Sequence, residues 1–183
     1  MEIEFREFPK IARFSRDIIV TEKLDGTNAS IHIEQDGTFL TGSRTRWITP
    51  EDDNYGFSRW AHANKDELMN LGPGTHFGEW WGQGVQRNYR LKEKRFSLFN
   101  ISRWEAERPA CCGVVPVLYK GPLSESRILD CLTALQVEGS KAAPGFMDPE
   151  GIVIFHTAGG HLYKKTLKKD DVPKSLAFPV TEW

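Results

Sequence analysis

The sequence predicts a mixed α and β fold, with strands and helices in one chain and hairpins joining neighbouring strands. Three observations support this. Residues 28–34 alternate apolar Ala29, Ile31 and Ile33 with polar Ser30, His32 and Glu34, and Gln35-Asp36-Gly37-Thr38 turns that run into a second strand over 38–42. Residues 54–71 and 124–137 repeat apolar side chains at helical spacing. Short apolar runs at 17–23, 75–81, 95–101, 114–119 and 150–155 lie between turn-forming residues.

Taken in order, Phe5, Phe8, Ile11 and Phe14 give residues 1–16 the character of a lid or edge segment resting on a sheet. The strand over 17–23 ends on Lys23, and the hairpin over 28–42 follows at once. Phe57, Trp60, Ala61, Leu68 and Leu71 make 54–71 an amphipathic helix, ended by Gly72-Pro73-Gly74. A strand over 75–81 leads through Gly82-Gln83-Gly84 into a basic loop, then a strand over 95–101 and an irregular charged stretch over 102–112. Pro116 marks the strand over 114–119 as an edge or irregular one. Ser124 is the expected N-cap of a helix with Ile128, Leu129, Leu132 and Leu135 inward. After a loop over 139–149, the strand from Glu150 turns at Gly159-Gly160 into a last strand over 161–168.

With 183 residues the chain reads as a single domain over 1–183 with a real core. It has no apolar run of about 18 residues that would span a membrane. The acidic, mixed start Met1-Glu2-Ile3-Glu4-Phe5 does not read as a secretory signal. Cys111, Cys112 and Cys131 lack the spacing of a zinc site or a disulfide frame, so reduced thiols and a cytoplasmic setting are expected. A net charge of −1 exerts no global pull on a polyanion. The charge is unevenly spread, however: Arg87, Arg90, Lys92, Lys94 and Arg95 surround Tyr89, and Lys164, Lys165, Lys168 and Lys169 form a second cluster. Either cluster suits a phosphate backbone or a solvated face.

The chemistry is organised around Glu22-Lys23-Leu24-Asp25-Gly26-Thr27-Asn28. A lysine at a strand end, followed by a tight turn, is held at the mouth of a site, and a lysine amine is a nucleophile when its charge is suppressed. Asp25 can orient that amine or help position a metal, and Gly26 permits a positive φ or a close approach to the backbone. Glu79 is a lone acid within an aromatic strand and needs a partner. His32, His62 and His76 receive no role.

Lys23-Leu24-Asp25-Gly26-Thr27-Asn28 resembles the nucleotidyl-acceptor motif of the covalent nucleotidyltransferases, in the longer form found in ATP-dependent RNA ligases. Further resemblances follow in the family's order along the chain. Arg44, with Arg46 as runner-up, matches an arginine that contacts the nucleotide or the RNA end. Phe77-Gly78-Glu79 matches the motif whose acid binds the ribose. Phe99 matches an aromatic that stacks on adenine, although the usual acid after it is Asn100 here. Glu150-Gly151-Ile152-Val153 matches the motif whose carboxylate organises the metal. Lys164 matches the first lysine of the last motif, while Thr166 stands at the second and Lys168 lies farther along the same face.

The resemblance implies an α+β, ATP-grasp-like adenylation domain with largely antiparallel sheets flanked by helices, a nucleotide cleft between them, and no OB domain. It implies ATP and Mg²⁺ or Mn²⁺ as cofactors, with Glu150 toward the metal. Glu22, Lys23, Asn28, Arg44, Glu79, Phe99, Glu150 and Lys164 would contact the nucleotide, and Lys23, Asp25 and Lys164 would carry the catalysis. The implied reaction joins RNA 5′-phosphate and 3′-OH ends, nicked or single-stranded, through a lysyl-AMP enzyme. The implied enzyme is a monomer, with an accessory RNA-binding partner where extra grip is needed. A minimal DNA ligase and a non-catalytic nucleotide- or RNA-binding module are the alternatives, the latter favoured by Thr166 and Asn100.

Overall fold

The computed structural model describes residues 4–168; Lys169 of the second basic cluster lies outside them. The strands are β1 (Asp17–Lys23), β2 (Thr27–Ile33), β3 (Phe39–Gly42), β4 (Trp47–Ile48), β5 (Gly74–Gly82), β6 (Lys94–Leu98), β7 (Cys112–Val114), β8 (Val117–Pro122), β9 (Gly151–His156) and β10 (His161–Thr166). The helices are α1 (Phe57–Ala63), α2 (Lys65–Leu68), α3 (Ile101–Trp104) and α4 (Glu125–Glu138), with a 3₁₀ turn over Met69–Leu71. Two sheets form: a four-stranded one in the order β10-β9-β1-β8, and a six-stranded one in the order β4-β3-β2-β5-β6-β7. All pairs are antiparallel except β6 with β7. This is the expected α+β architecture. None of the described helices is long and apolar enough to cross a membrane.

Each sheet buries one face under helices. Ala29, Ile31, Trp80, Phe96 and Leu98 of the six-stranded sheet pack with Phe57, Ala61, Leu68, Leu71 and Trp104. Ile18, Val20, Ile152 and Ile154 of the four-stranded sheet pack against Cys131, Leu132 and Leu135 of α4. A third cluster, Leu24, Trp81, Tyr89, Ile101, Val115 and Ala143, joins the two sheets at one end. Leu24 of that cluster directly follows Lys23, so the joint between the sheets lies beside the end of β1.

Five expectations are corrected. The helix over 54–71 starts only at Phe57, because Tyr55 and Gly56 take left-handed angles, and it breaks at Asn64 (φ −110°, ψ 18°). There the Asn64 side chain donates to the Trp60 carbonyl at 2.8 Å, competing with the helical backbone. The strand over 95–101 stops at Leu98, where Asn100 caps α3 by accepting from the Arg103 backbone N–H at 3.2 Å. The run over 114–119 is two strands in different sheets: Pro116 sits at the crossing, and its carbonyl accepts from the Glu22 N–H at 2.9 Å. On α4 it is Cys131 that turns inward, while Leu129 is exposed. The N-terminal stretch does not lie down as a lid, since Phe5, Phe8 and Ile11 are exposed. Only its end is anchored, with the Phe14 ring over His156 and the Phe14 carbonyl accepting from His156 Nε2 at 2.8 Å.

Candidate active site

Lys23 ends β1 directly opposite Gly151, the first residue of β9, and that register sets Glu150 beside it. Lys23 Nζ lies 2.7 Å from Glu150 Oε2, with both side chains largely sheltered. The turn after Lys23 is held by three side chains, one from β5 and two from the loop that follows it. The Asp25 N–H donates to Tyr89 Oη at 2.8 Å, and the Gly26 N–H donates to Glu79 Oε1 at 3.0 Å. Arg87 Nε donates to Asp25 Oδ2 at 2.8 Å. Glycine is required at 26 because β5 crosses there: a Cβ would stand 2.3 Å from the Trp80 carbonyl oxygen and 2.8 Å from Trp81 Cβ. The close approach comes from the chain itself.

Asn28 pairs with Glu79 across β2 and β5, and its Nδ2 donates to Glu79 Oε2 at 3.3 Å. Glu79 is buried, and desolvation pushes its carboxyl up to about 7, against the pull of Lys23 and the Gly26 N–H. The neighbouring Glu150 and Asp25 charges push in the same direction as burial. Lys23, Asp25, Asn28, Glu79 and Glu150 thus meet in one cluster, drawn from three separate stretches of the chain.

Of the remaining predicted residues Phe99 borders that cluster, and the others stand apart from it. Glu22 faces away from Lys23, toward the loop after α4, as strand alternation requires. Its carboxylate accepts from Ser140 Oγ (2.6 Å), Lys141 N (2.8 Å) and Ala142 N (3.0 Å). Burial nevertheless raises its pKa, those hydrogen bonds opposing the rise. Lys164 is exposed on β10 and pairs with Val153, itself opposite Thr21, so it shares the face of Lys23 one alternation along. Thr166 is the residue in line with Gly151 and Lys23. Lys168 Nζ is bound to Asp148 Oδ1 at 2.6 Å. Arg46 is held by Asp52 through Nη2 and Oδ1 at 2.9 Å, leaving Arg44 as the exposed guanidinium of the β3–β4 turn. Phe99, partly exposed, hydrogen-bonds through its N–H to the Phe77 carbonyl at 3.0 Å, and so borders Glu79 on the same open face.

Arg87 and Tyr89 were legible in the sequence only as part of a basic loop. In the structure Arg87 points into the site, where its Nη1 also donates to Asp148 Oδ2 at 2.8 Å, and Tyr89 is buried against Trp81. The loop achieves this with Asn88, Tyr89 and Arg90 all left-handed (φ 63°, 51° and 55°), which no residue type announces. Lys94 and Arg95 of the same cluster are tied to the Tyr55 carbonyl and to Glu93.

The described residues contain no group of three or more His, Cys, Asp or Glu that could cage a metal. Mg²⁺ asks for less: one or two carboxylates, with substrate phosphates and water completing its shell. Glu150 and the phosphates of a bound nucleotide fit that demand. A cavity of about 670 Å³ behind α3, lined by Glu67, Leu71, Arg103 and Trp104 among others, contains none of these residues.

The RNA ligase family model matches residues 16–168. Comparison with curated protein sequences gives no match. Among solved structures, a Naegleria gruberi RNA ligase mutant with ATP and Mn is 21% identical, with a TM-score of 0.66 over 84% of this chain and 50% of that one. A second mutant of the same ligase, also with ATP and Mn, is 20% identical, with a TM-score of 0.59 over 82% of this chain and 48% of that one. An archaeal ATP-dependent RNA ligase is 18% identical, with a TM-score of 0.60 over 88% and 48%. The likeness establishes a shared fold. The chain spans about half the length of the structures it matches.

Proposed function

The chain belongs to the RNA ligase family, and on that premise we propose that it seals RNA ends at the expense of ATP, through a covalent lysyl-AMP on Lys23. The observation that carries this reading is the Lys23–Glu150 pair at 2.7 Å, which joins a strand-end amine to an acid 127 residues away.

In the first step the Lys23 nitrogen attacks the α-phosphorus of ATP. An N–P bond forms, the P–O bond to the β-phosphate breaks, and pyrophosphate leaves. Glu150 is placed to take the amine's proton. Glu150 would also hold a divalent cation, which would supply charge neutralisation at the phosphates. Glu79 meets the ribose, Phe99 the base, Lys164 the α-phosphate and Arg44 a phosphate or sugar. Asp25 keeps the turn, and with it the amine, in place. In the second step an oxygen of an RNA 5′-phosphate attacks the AMP phosphorus, the N–P bond breaks, and Lys23 regains its proton. In the third an RNA 3′-OH attacks the activated 5′-phosphate, a phosphodiester forms, and AMP departs, with Asn28 aligning the ends. The enzyme acts as a monomer, with an accessory RNA-binding partner where more grip is needed.

The test is joining. A 5′-phosphorylated, end-labelled RNA with a free 3′-OH is incubated with the protein, ATP and Mg²⁺ and run on a denaturing gel. Longer or circular RNA, absent for the 5′-hydroxyl control, is expected. Joining of DNA ends alone would contradict an RNA ligase.

A further inference from the structure

The six-stranded sheet carries a row of exposed aromatic side chains on the face that holds Glu79. One row of paired residues crosses it: Trp47 on β4 opposite Gly42, Gly42 near the start of the row opposite Ser30, Ser30 opposite Phe77, and Phe77 bonded to Phe99. Directly opposed residues in antiparallel strands project to the same face. The aromatic members are exposed, Trp47 by 55%, Phe77 by 61% and Phe99 by 39%. Between them the floor is small and polar. A Cβ on Gly42 would stand 2.5 Å from Ser30 Oγ and 3.3 Å from the Trp47 ring, so that ring lies over the glycine. His32, beside the row, is fixed by Thr75 Oγ1 and Glu34 Oε1 at 2.7 and 2.8 Å and sets its ring 5.7 Å from that of Trp47.

We propose that Trp47 and Phe77 of this row form a stacking platform for unpaired bases of the RNA end, leaving Phe99 to the ATP base, and that the chain therefore takes single-stranded rather than fully duplexed RNA. The proposal rests on the ligase reading and deepens it. Exposed aromatics on an open sheet are how unpaired bases are held, because every base offers a π-face, whereas bases within a duplex are already stacked. From Trp47 to Phe77 is three strand spacings, about 14 Å, room for two or three bases. The Asn28–Glu79 pair forms the next row on the same face, two residues along β2 and β5 from Ser30 and Phe77. Arg44, exposed in the turn before Trp47, supplies the positive charge that a backbone phosphate requires.

The experiment measures fluorescence anisotropy of a labelled single-stranded oligoribonucleotide and of a nicked RNA duplex, with wild type, Trp47→Ala and Trp47→Phe. Trp47→Ala should weaken single-strand binding about ten-fold, Trp47→Phe should restore most of it, and duplex binding should be unmoved. The KM for ATP in lysyl-AMP formation should be that of wild type for Trp47→Ala. Unchanged single-strand affinity, equal losses in the Ala and Phe variants, equal loss on duplex, or a raised KM for ATP would each overturn the platform. Labelling of wild type by α-labelled ATP keeps the two readings separate. Label with Trp47-independent RNA binding removes the platform alone, and Trp47-dependent binding without label supports the platform and removes the ligase reading alone.

Discussion

Arg87 Nε lies 2.8 Å from Asp25 Oδ2, and the same guanidinium reaches Asp148. Asp148 in turn binds Lys168, so one chain of charges ties the loop after β5, the reactive turn, and the segments before β9 and after β10. The turn is thereby held from outside. Removing Arg87 should cost reactivity more than fold. Arg87→Ala is expected to slow lysyl-AMP formation about ten-fold, the scale of one lost charge-assisted hydrogen bond, with Arg87→Lys in between. The check is single-turnover labelling at saturating ATP, and a wild-type rate in Arg87→Ala would show that the turn holds itself.

Gly26→Ala should destabilise the protein by about 1–3 kcal/mol, the usual cost of overpacking, because the new methyl would meet the Trp80 carbonyl and Trp81 Cβ. Urea unfolding of the two proteins reads this directly. A stability equal to wild type would mean that β5 gives way easily.

Glu22→Ala leaves the Lys141 and Ala142 N–H groups and the Ser140 hydroxyl without their shared acceptor. A loss of at least about 2 kcal/mol is expected, with the KM for ATP little changed in whatever folds. A raised KM at full stability would place the carboxylate in the nucleotide site instead.

Glu79 holds its proton up to about pH 7 in the folded state, against a value near 4.5 when unfolded. Between those values the folded form binds more protons, so this residue's contribution to stability falls as pH rises through the window, by up to about 3 kcal/mol. Glu79→Gln should flatten that fall. Melting temperatures of both proteins from pH 4.5 to 8 test it; parallel curves would show that Glu79 is ionised throughout.

Local rules carried much of the fold. Alternation located the hairpin after Lys23, the Ser124 cap located α4, and a lone acid in an aromatic strand marked Glu79. The misses share a cause. Pro116 marks an irregularity between Val114 and Tyr119, but nothing there says that the chain changes sheets, since both halves are equally apolar. Nor does a basic loop say which arginine turns inward: Arg87 and Arg90 look alike until the left-handed run at 88–90 aims one at Asp25 and the other at solvent. Glu150 reached the site through pairing with β1, a contact 127 residues long that only a family resemblance could anticipate.

The most direct test of the account is covalent label transfer from α-labelled ATP. Folded protein, first stripped of any bound AMP with pyrophosphate, is incubated with the nucleotide and Mg²⁺, then denatured and resolved on a gel beside Lys23→Ala. The account predicts acid-labile label on wild type that survives denaturation and is absent from the variant. An unlabelled wild type, or equal label on Lys23→Ala, would contradict Lys23 as the nucleophile.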